Sequence, residues 1–275
     1  MKHLFLFFSF SLILNFANAQ YSQYLPDAGA RQGGMSGAGV TISDIWSSYH
    51  NQAGLADLEG LSAGLFYSNI YNVSAFKETA FAFAAPIEKY GSVGANYSYS
   101  GDSYSNFSKF GLAFSKRLGK RITGGIQIDY IRAFQLNYGT DGVAVGELGI
   151  IAEPVKDLFI GAHVFNPWMS KFSNSGERVT SVFRLGGAYY FSEKVLFTLE
   201  GEKDVSKPVV FRGATEYNIA GGLFLRAGVA TNPTKYSFGI GYKYKGAAID
   251  LAYISHDVLG HYVQFGLGYT LNKKK

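Results

Sequence analysis

From Leu61 to the end, the chain repeats one unit, a run of about ten residues in strict alternation followed by a turn. Between Tyr236 and Tyr244, the residues Tyr236, Phe238, Ile240, Tyr242 and Tyr244 fall on one side and Ser237, Gly239, Gly241 and Lys243 on the other. The last run does the same, setting Val263, Phe265, Leu267, Tyr269 and Leu271 against Gln264, Gly266, Gly268 and Thr270. A period of two places these sets on opposite faces of a sheet. A tilted strand crosses a bilayer in about 9–11 residues, which is the length of the unit. In a soluble barrel the bulky face would fill the interior. Here the other face is mostly Gly, Ala and Ser with occasional charges, too little volume to fill a core. The bulky face therefore points to lipid.

Such units occur near residues 61–70, 77–85, 90–99, 107–118, 121–133, 143–153, 157–166, 180–191, 195–203, 208–218, 221–231, 234–244, 247–255 and 260–271. The pattern predicts an all-β, transmembrane antiparallel β-barrel of about fourteen strands over 61–275, with twelve as the alternative if two weak units merge. Tight connections at 118–121, 153–157, 191–194 and 218–221 alternate with longer polar loops at 100–107, 134–142 and 167–179. Short periplasmic turns and longer external loops are usual in bacterial barrels. Closure is required because an unpaired strand edge in hydrocarbon leaves its backbone groups unbonded.

Composition agrees with a lipid environment. The chain is 47% hydrophobic, 16% aromatic and only 16% charged, whereas soluble domains carry about 25% charged residues. With no cysteine, disulfide scaffolds and thiolate chemistry are excluded. The net charge of +5 is spread out and partly sits in Lys273-Lys274-Lys275, so it does not indicate a nucleic-acid partner. At the N-terminus, Lys2 precedes the apolar run Leu4 to Leu14, and Ala17-Asn18-Ala19 supplies a small-x-small cleavage site. This is the layout of a secretory signal peptide over 1–19, with the mature chain starting at Gln20. The run is too short to cross a bilayer as a helix, and no later stretch reaches the ~18 apolar residues that a spanning helix needs.

Residues 20–60 do not alternate. A glycine-rich stretch, Gly29 to Val40, precedes Ser43-Asp44-Ile45-Trp46-Ser47-Ser48-Tyr49, a short helix capped by Ser43 or Asp44. The glycines lack the Gly-Lys-Ser/Thr ending and the preceding strand of a phosphate loop, and nothing in the chain indicates a cofactor. A plug seated in the barrel mouth explains such backbone better, since irregular structure at membrane depth must be covered by protein. Its notable residues are Arg31, Gly34, Met35, Gly37, Gly39, Asp44, Trp46, Asn51 and Gly54.

The stretch Ala30-Arg31 through Gly34-Met35-Ser36-Gly37-Ala38-Gly39-Val40 to Asn51-Gln52-Ala53-Gly54-Leu55-Ala56, followed by a fourteen-strand pattern, resembles the FadL-like outer-membrane barrels. Within them it is most similar to the PorV/PorQ branch of the type IX secretion system. It departs from the usual Asn-Pro-Ala of FadL proteins, having Asn51-Gln52-Ala53. For FadL the resemblance implies passive movement of hydrophobic molecules through a plugged barrel with a lateral opening. For PorV/PorQ it implies other envelope or secretion proteins as partners.

The lumen-facing parity carries Asp129, Glu147, Glu200, Glu202, Glu216 and Asp250 together with Arg184, Arg212, Arg226 and Lys243. Both signs on one face suit a salt-bridge network that braces and occludes the barrel, with a polar pathway or a docking surface for the plug as the alternative. His256, Asp257 and His261 share one loop, but two histidines and an aspartate in a hairpin are more simply solvated than metal-bound. His163 lies mid-strand with no nucleophile selected beside it. No sequence context picks out a catalytic set, so the reading is non-enzymatic and metal-free. Trp168, Met169 and Phe172 put three large apolar side chains in an external loop, where they either contact a partner or fold back as a lid. The mixed lumen charges lean the reading toward a secretion accessory, with a passive transporter of a hydrophobic ligand as the alternative, either way in outer-membrane lipid. N-terminal mass analysis of the protein purified from envelopes is expected to give a chain beginning at Gln20, and retention of Met1 would refute the processing step.

Overall fold

In a computed structural model, residues 27–272 are described. The expected signal peptide, the first part of the plug (20–26) and the lysines 273–275 lie outside them. Fourteen strands run β1 Gly60–Asn69, β2 Lys77–Ile87, β3 Gly91–Gly101, β4 Ser105–Arg117, β5 Ile122–Gln135, β6 Gly139–Val155, β7 Leu158–Phe165, β8 Val182–Ser192, β9 Val195–Asp204, β10 Val210–Ala220, β11 Leu223–Ala230, β12 Lys235–Tyr244, β13 Ala247–His256 and β14 Gly260–Asn272. Each pairs with its chain neighbours, and β1 closes on β14 with Leu61 opposite Leu271. The molecule is a closed, antiparallel, all-β barrel of fourteen strands. The boundaries match the alternating runs closely except in β6, which begins at Gly139 and not near 143, taking part of the expected 134–142 loop into the sheet.

Alternation decides which side chain goes where. Leu65, Phe81, Leu199, Phe238, Ile240 and Leu251 stand outward and exposed, while Ser62, Phe66, Ser68, Ala80, Ala82 and Ala84 are buried inward. An outer face of this kind is stable only against hydrocarbon. No helix among the described residues is long and apolar enough to cross a membrane; the strands do the crossing.

The interior is filled by the chain itself. Ahead of β1, residues 27–58 form two single-turn helices, α1 Ala30–Gly33 and α2 Ser47–His50, and a 3-10 turn at Gln52–Asp57. The helix starts later than the sequence suggests: the Asp44 carboxylate accepts from the Trp46 amide at 2.9 Å and closes a turn ahead of α2. Ser43 caps nothing there and instead reaches Asp57. Trp46, Tyr49 and Leu55 pack on Phe66 and on the alanines of β2. Met35, Ala38 and Ile42 meet Ala188, Leu196 and Ala214 on the far wall. The small inward residues are thus the footprint of this segment. At one crossing, a Cβ on Gly34 would lie 2.9 Å from the Cα of Gly239, so both positions exclude a side chain.

Leu251 sits midway along β13, outward between Ile240 and Phe265. In refolding titrations in lipid vesicles, Leu251→Arg should cost about 2–4 kcal/mol and Leu251→Ile close to nothing. Equal stability of both variants would contradict a lipid-facing outer wall.

Candidate functional site

The wall charges form a girdle around the luminal segment in three groups. In the first, Glu147 on β6 receives Lys109 Nζ at 2.9 Å, His163 Nε2 at 2.9 Å and Gln127 Nε2 at 3.2 Å, and also the side-chain amide of Gln52. Asp129 lies 3.5 Å from the same lysine. In the second, Arg184 donates to Glu202 at 2.7 Å, and Arg212 reaches Glu202 at 3.1 Å and Glu200 at 3.3 Å. Glu200 then accepts the backbone amides of Gly39 and Val40, both at 2.9 Å. In the third, Arg226 bridges Glu216 at 2.6 Å and Asp250 at 2.7 Å, and Arg31 clamps Glu216 at 2.7 Å and Asp44 at 3.1 Å.

A charge buried without a partner is costly, and a buried pair is stable only when its remaining donors and acceptors are also used. Each group meets that condition in part by binding the segment, although Asp129 Oδ2, Arg184 Nη1 and Arg226 Nη2 keep no hydrogen-bond partner. Nine of the ten lumen charges singled out in the sequence join these groups. Lys243 does not: near the periplasmic end of β12 it is exposed and sits over the Phe224 ring at 5.4 Å. Lys109, and the role of His163 as a partner for Glu147, were not apparent in the sequence; Lys109 shares its parity with Gly111, the one available signal.

The remaining residues of the segment serve its seating. Asn51 Nδ2 donates to the Val40 carbonyl at 2.8 Å and its Oδ1 accepts from the Ala53 amide at 3.2 Å, crossing the segment's own turn. Gln52, standing where FadL proteins have proline, supplies the amide that reaches Glu147. Gly37 has φ +83°, a left-handed turn that faces Arg212. Gly39 and Gly54 pack against His50 and Ser47, Met35 is fully buried, and Trp46 meets Phe66 edge-on at 6.0 Å.

At the external end the wall has a step. β6 begins at Gly139, but its pairing with β7 begins only at Glu147 opposite Phe165, where β7 ends. Over Gly139–Gly146 the edge of β6 that would face β7 is covered by the 166–181 loop. Asn166 N donates to Gly146 O at 2.8 Å, Ser173 N donates to Gly142 O at 3.1 Å, and the Asp141 carboxylate holds the amides of Asn174 and Ser175. Behind the step, Phe172 and Val179 drop into an apolar cup of Ile131, Val143, Val145, Phe165 and Val182. Of the three apolar loop residues only Phe172 folds in. Trp168 lies against Gly146, whose parity is outward, and remains 62% exposed, and Met169 is also exposed.

The loop histidines are structural here. His256 Nδ1 accepts the amides of Val258 and Leu259 at 3.1 and 3.2 Å, and His261 stacks on Tyr253. Among the described residues, no three His, Cys, Asp or Glu side chains are grouped to hold a metal.

No protein-family model and no curated protein matches the chain. Solved structures do. A monoaromatic hydrocarbon channel, CymD, superposes with TM-score 0.68 at 12% identity over 89% of this chain and 98% of its own. The Ralstonia pickettii toluene transporter TbuX gives 0.67 at 13% over 89% and 98%. A Pseudomonas aeruginosa FadL homologue gives 0.65 at 11% over 92% and 100%. At such identities the likeness speaks to fold, and the fold of this chain is that of the FadL-type barrels.

Proposed function

We propose that the chain is an outer-membrane channel for small hydrophobic molecules, which enter the external apolar cup and leave sideways over the step between β6 and β8 while the luminal segment stays seated. The observation that carries this reading is the pairing of an apolar cup with the one stretch of β6 edge covered by a loop. A hydrophobic molecule meets dispersion and burial in the cup, formed by the same kind of side chains that line ligand pockets. Below it, the girdle of buried ion pairs opposes passage of anything that cannot solvate charge. The sideways path avoids the girdle. The hydrocarbon and toluene channels that share the fold support this substrate class.

The lean toward a secretion accessory rests on the mixed lumen charges as the mark of a charge-packed, sealed lumen. Those charges are spent on one another and on the luminal segment, which closes the lumen but not the sideways route over the step, and the structural neighbours support the hydrophobic small-molecule reading and not the secretion one.

Labelled toluene uptake by cells expressing the chain tests the proposal. Uptake should exceed that of cells making an unrelated barrel of similar abundance. Val145→Asp, which puts a carboxylate into the cup, should bring it back to background. Phe172→Ala removes the buried lid ring, at a cost of about 3–5 kcal/mol to loop seating, and should raise uptake. Background uptake by the unaltered chain, or an indifferent Val145→Asp, would contradict the reading.

A further inference from the structure

The outer wall beside the step carries a groove, although the outside of a barrel is convex and lipid-covered. It is an open trough of about 650 Å3. Its floor is Ala162, Val164 and Gly201, and its walls include Leu148, Phe183 and Val209. Register explains the shape. Ala162, Leu185 and Gly201 share one rung across β7, β8 and β9, and Val164, Phe183 and Lys203 share the next outward-facing rung toward the external side. Small residues on two strands leave troughs either side of the large ones on β8.

The external end of the groove is polar and interfacial. Lys203 stands outward and exposed one residue before β9 ends, and its ammonium donates to the Lys207 carbonyl. Its neighbours Glu202 and Asp204 have the opposite parity: Glu202 is taken by Arg184 and Arg212, and Asp204 by Thr180 and Lys207. No carboxylate pairs with Lys203 among the described residues. On the other flank, the Trp168 indole lies over Gly146, two residues external to Leu148 on β6. Tryptophan and lysine near the external ends of the strands mark the headgroup region of a bilayer.

We infer that this groove binds a phosphorylated acyl lipid of the outer leaflet, with an acyl chain on Ala162, Val164 and Gly201 and a phosphate on Lys203. Charge complementarity selects the occupant: an apolar trough in hydrocarbon accepts any chain, but a lone cation at its external end selects an anionic headgroup. The site is separate from the cup and does not depend on the transport reading.

The test is native mass spectrometry of the full chain extracted from nanodiscs of phosphatidylethanolamine doped with lipid A, followed by detergent washing. The unaltered chain should keep lipid A. Lys203→Gln should lower retention roughly fivefold, as expected for one interfacial charge, and enzymatically dephosphorylated lipid A should be held equally poorly. Gly201→Leu should displace the lipid while leaving Lys203 in place. A Cβ at Gly201 meets only the Phe211 ring at 3.7 Å and a carbonyl at 3.9 Å, so this variant keeps the fold. Retention by both variants equal to that of the unaltered chain, or no preference for the phosphorylated form, overturns the assignment. Toluene uptake by Lys203→Gln should stay as it was, which separates failure of this site from failure of the channel.

Discussion

Every backbone amide and carbonyl that lies in hydrocarbon has to be bonded within the protein, because no water is there to take it. Closure of β1 on β14 is the consequence, and much of the rest follows from closure. A closed sheet has two faces of unlike surroundings, so the alternating sequence sorts itself, with Leu251 to lipid and Ala252 to the lumen. A fourteen-strand wall encloses more space than its small inward side chains fill, and the segment before β1 supplies the missing volume. Where that segment crosses the wall closely at Gly34 and Gly239, neither position carries a side chain.

The same dry surroundings set the terms for charge. Inside the barrel most of the girdle's carboxylates are surrounded by partners, and Glu147 shows the pattern, with a lysine, a histidine and two amides upon it; Glu78, buried on β2 with neither carboxylate oxygen hydrogen-bonded, is an exception. Two of the four come from β4 and β7, one from β5 and one from the luminal segment. Each group of the girdle thereby ties the segment to several strands at once, and pulling the segment out would strand charges on the wall. In the proposed function, a seated segment and a sealed charge belt leave the external cup and the step beside it as the route for an apolar molecule.

Much of the fold was legible in the sequence because alternation reports directly on the two faces of a sheet. The runs ending at Tyr244 and Leu271 are strands as read, and the lumen parity of Arg184, Arg212 and Arg226 holds. What was not legible depended on contacts between distant parts. The polar residues 139–142 read as loop, yet pairing with the end of β5 draws them into β6. Trp168 and Phe172 look alike in the sequence, and only the path of the loop sends one outside the wall and the other into the cup. Lys243 has lumen parity, but its height near the periplasmic end leaves it exposed. Asp44 was read as a helix cap, and it does cap a turn, but it also receives Arg31 from thirteen residues earlier. The wall groove left no sequence signal, since it arises from rungs on three separate strands.

The claim that cargo leaves over the step while the segment stays seated is tested most directly by locking the segment in place. Ser36 and Ser237 face each other with their hydroxyls 2.8 Å apart, one on the segment and one on β12, and the chain has no other cysteine to interfere. Replacing both with cysteine gives a disulfide that joins segment to wall, and toluene uptake is then compared with the bond formed and reduced. The account predicts equal uptake in the two states. Uptake that stops on oxidation and returns with reductant would show that molecules pass through the lumen instead.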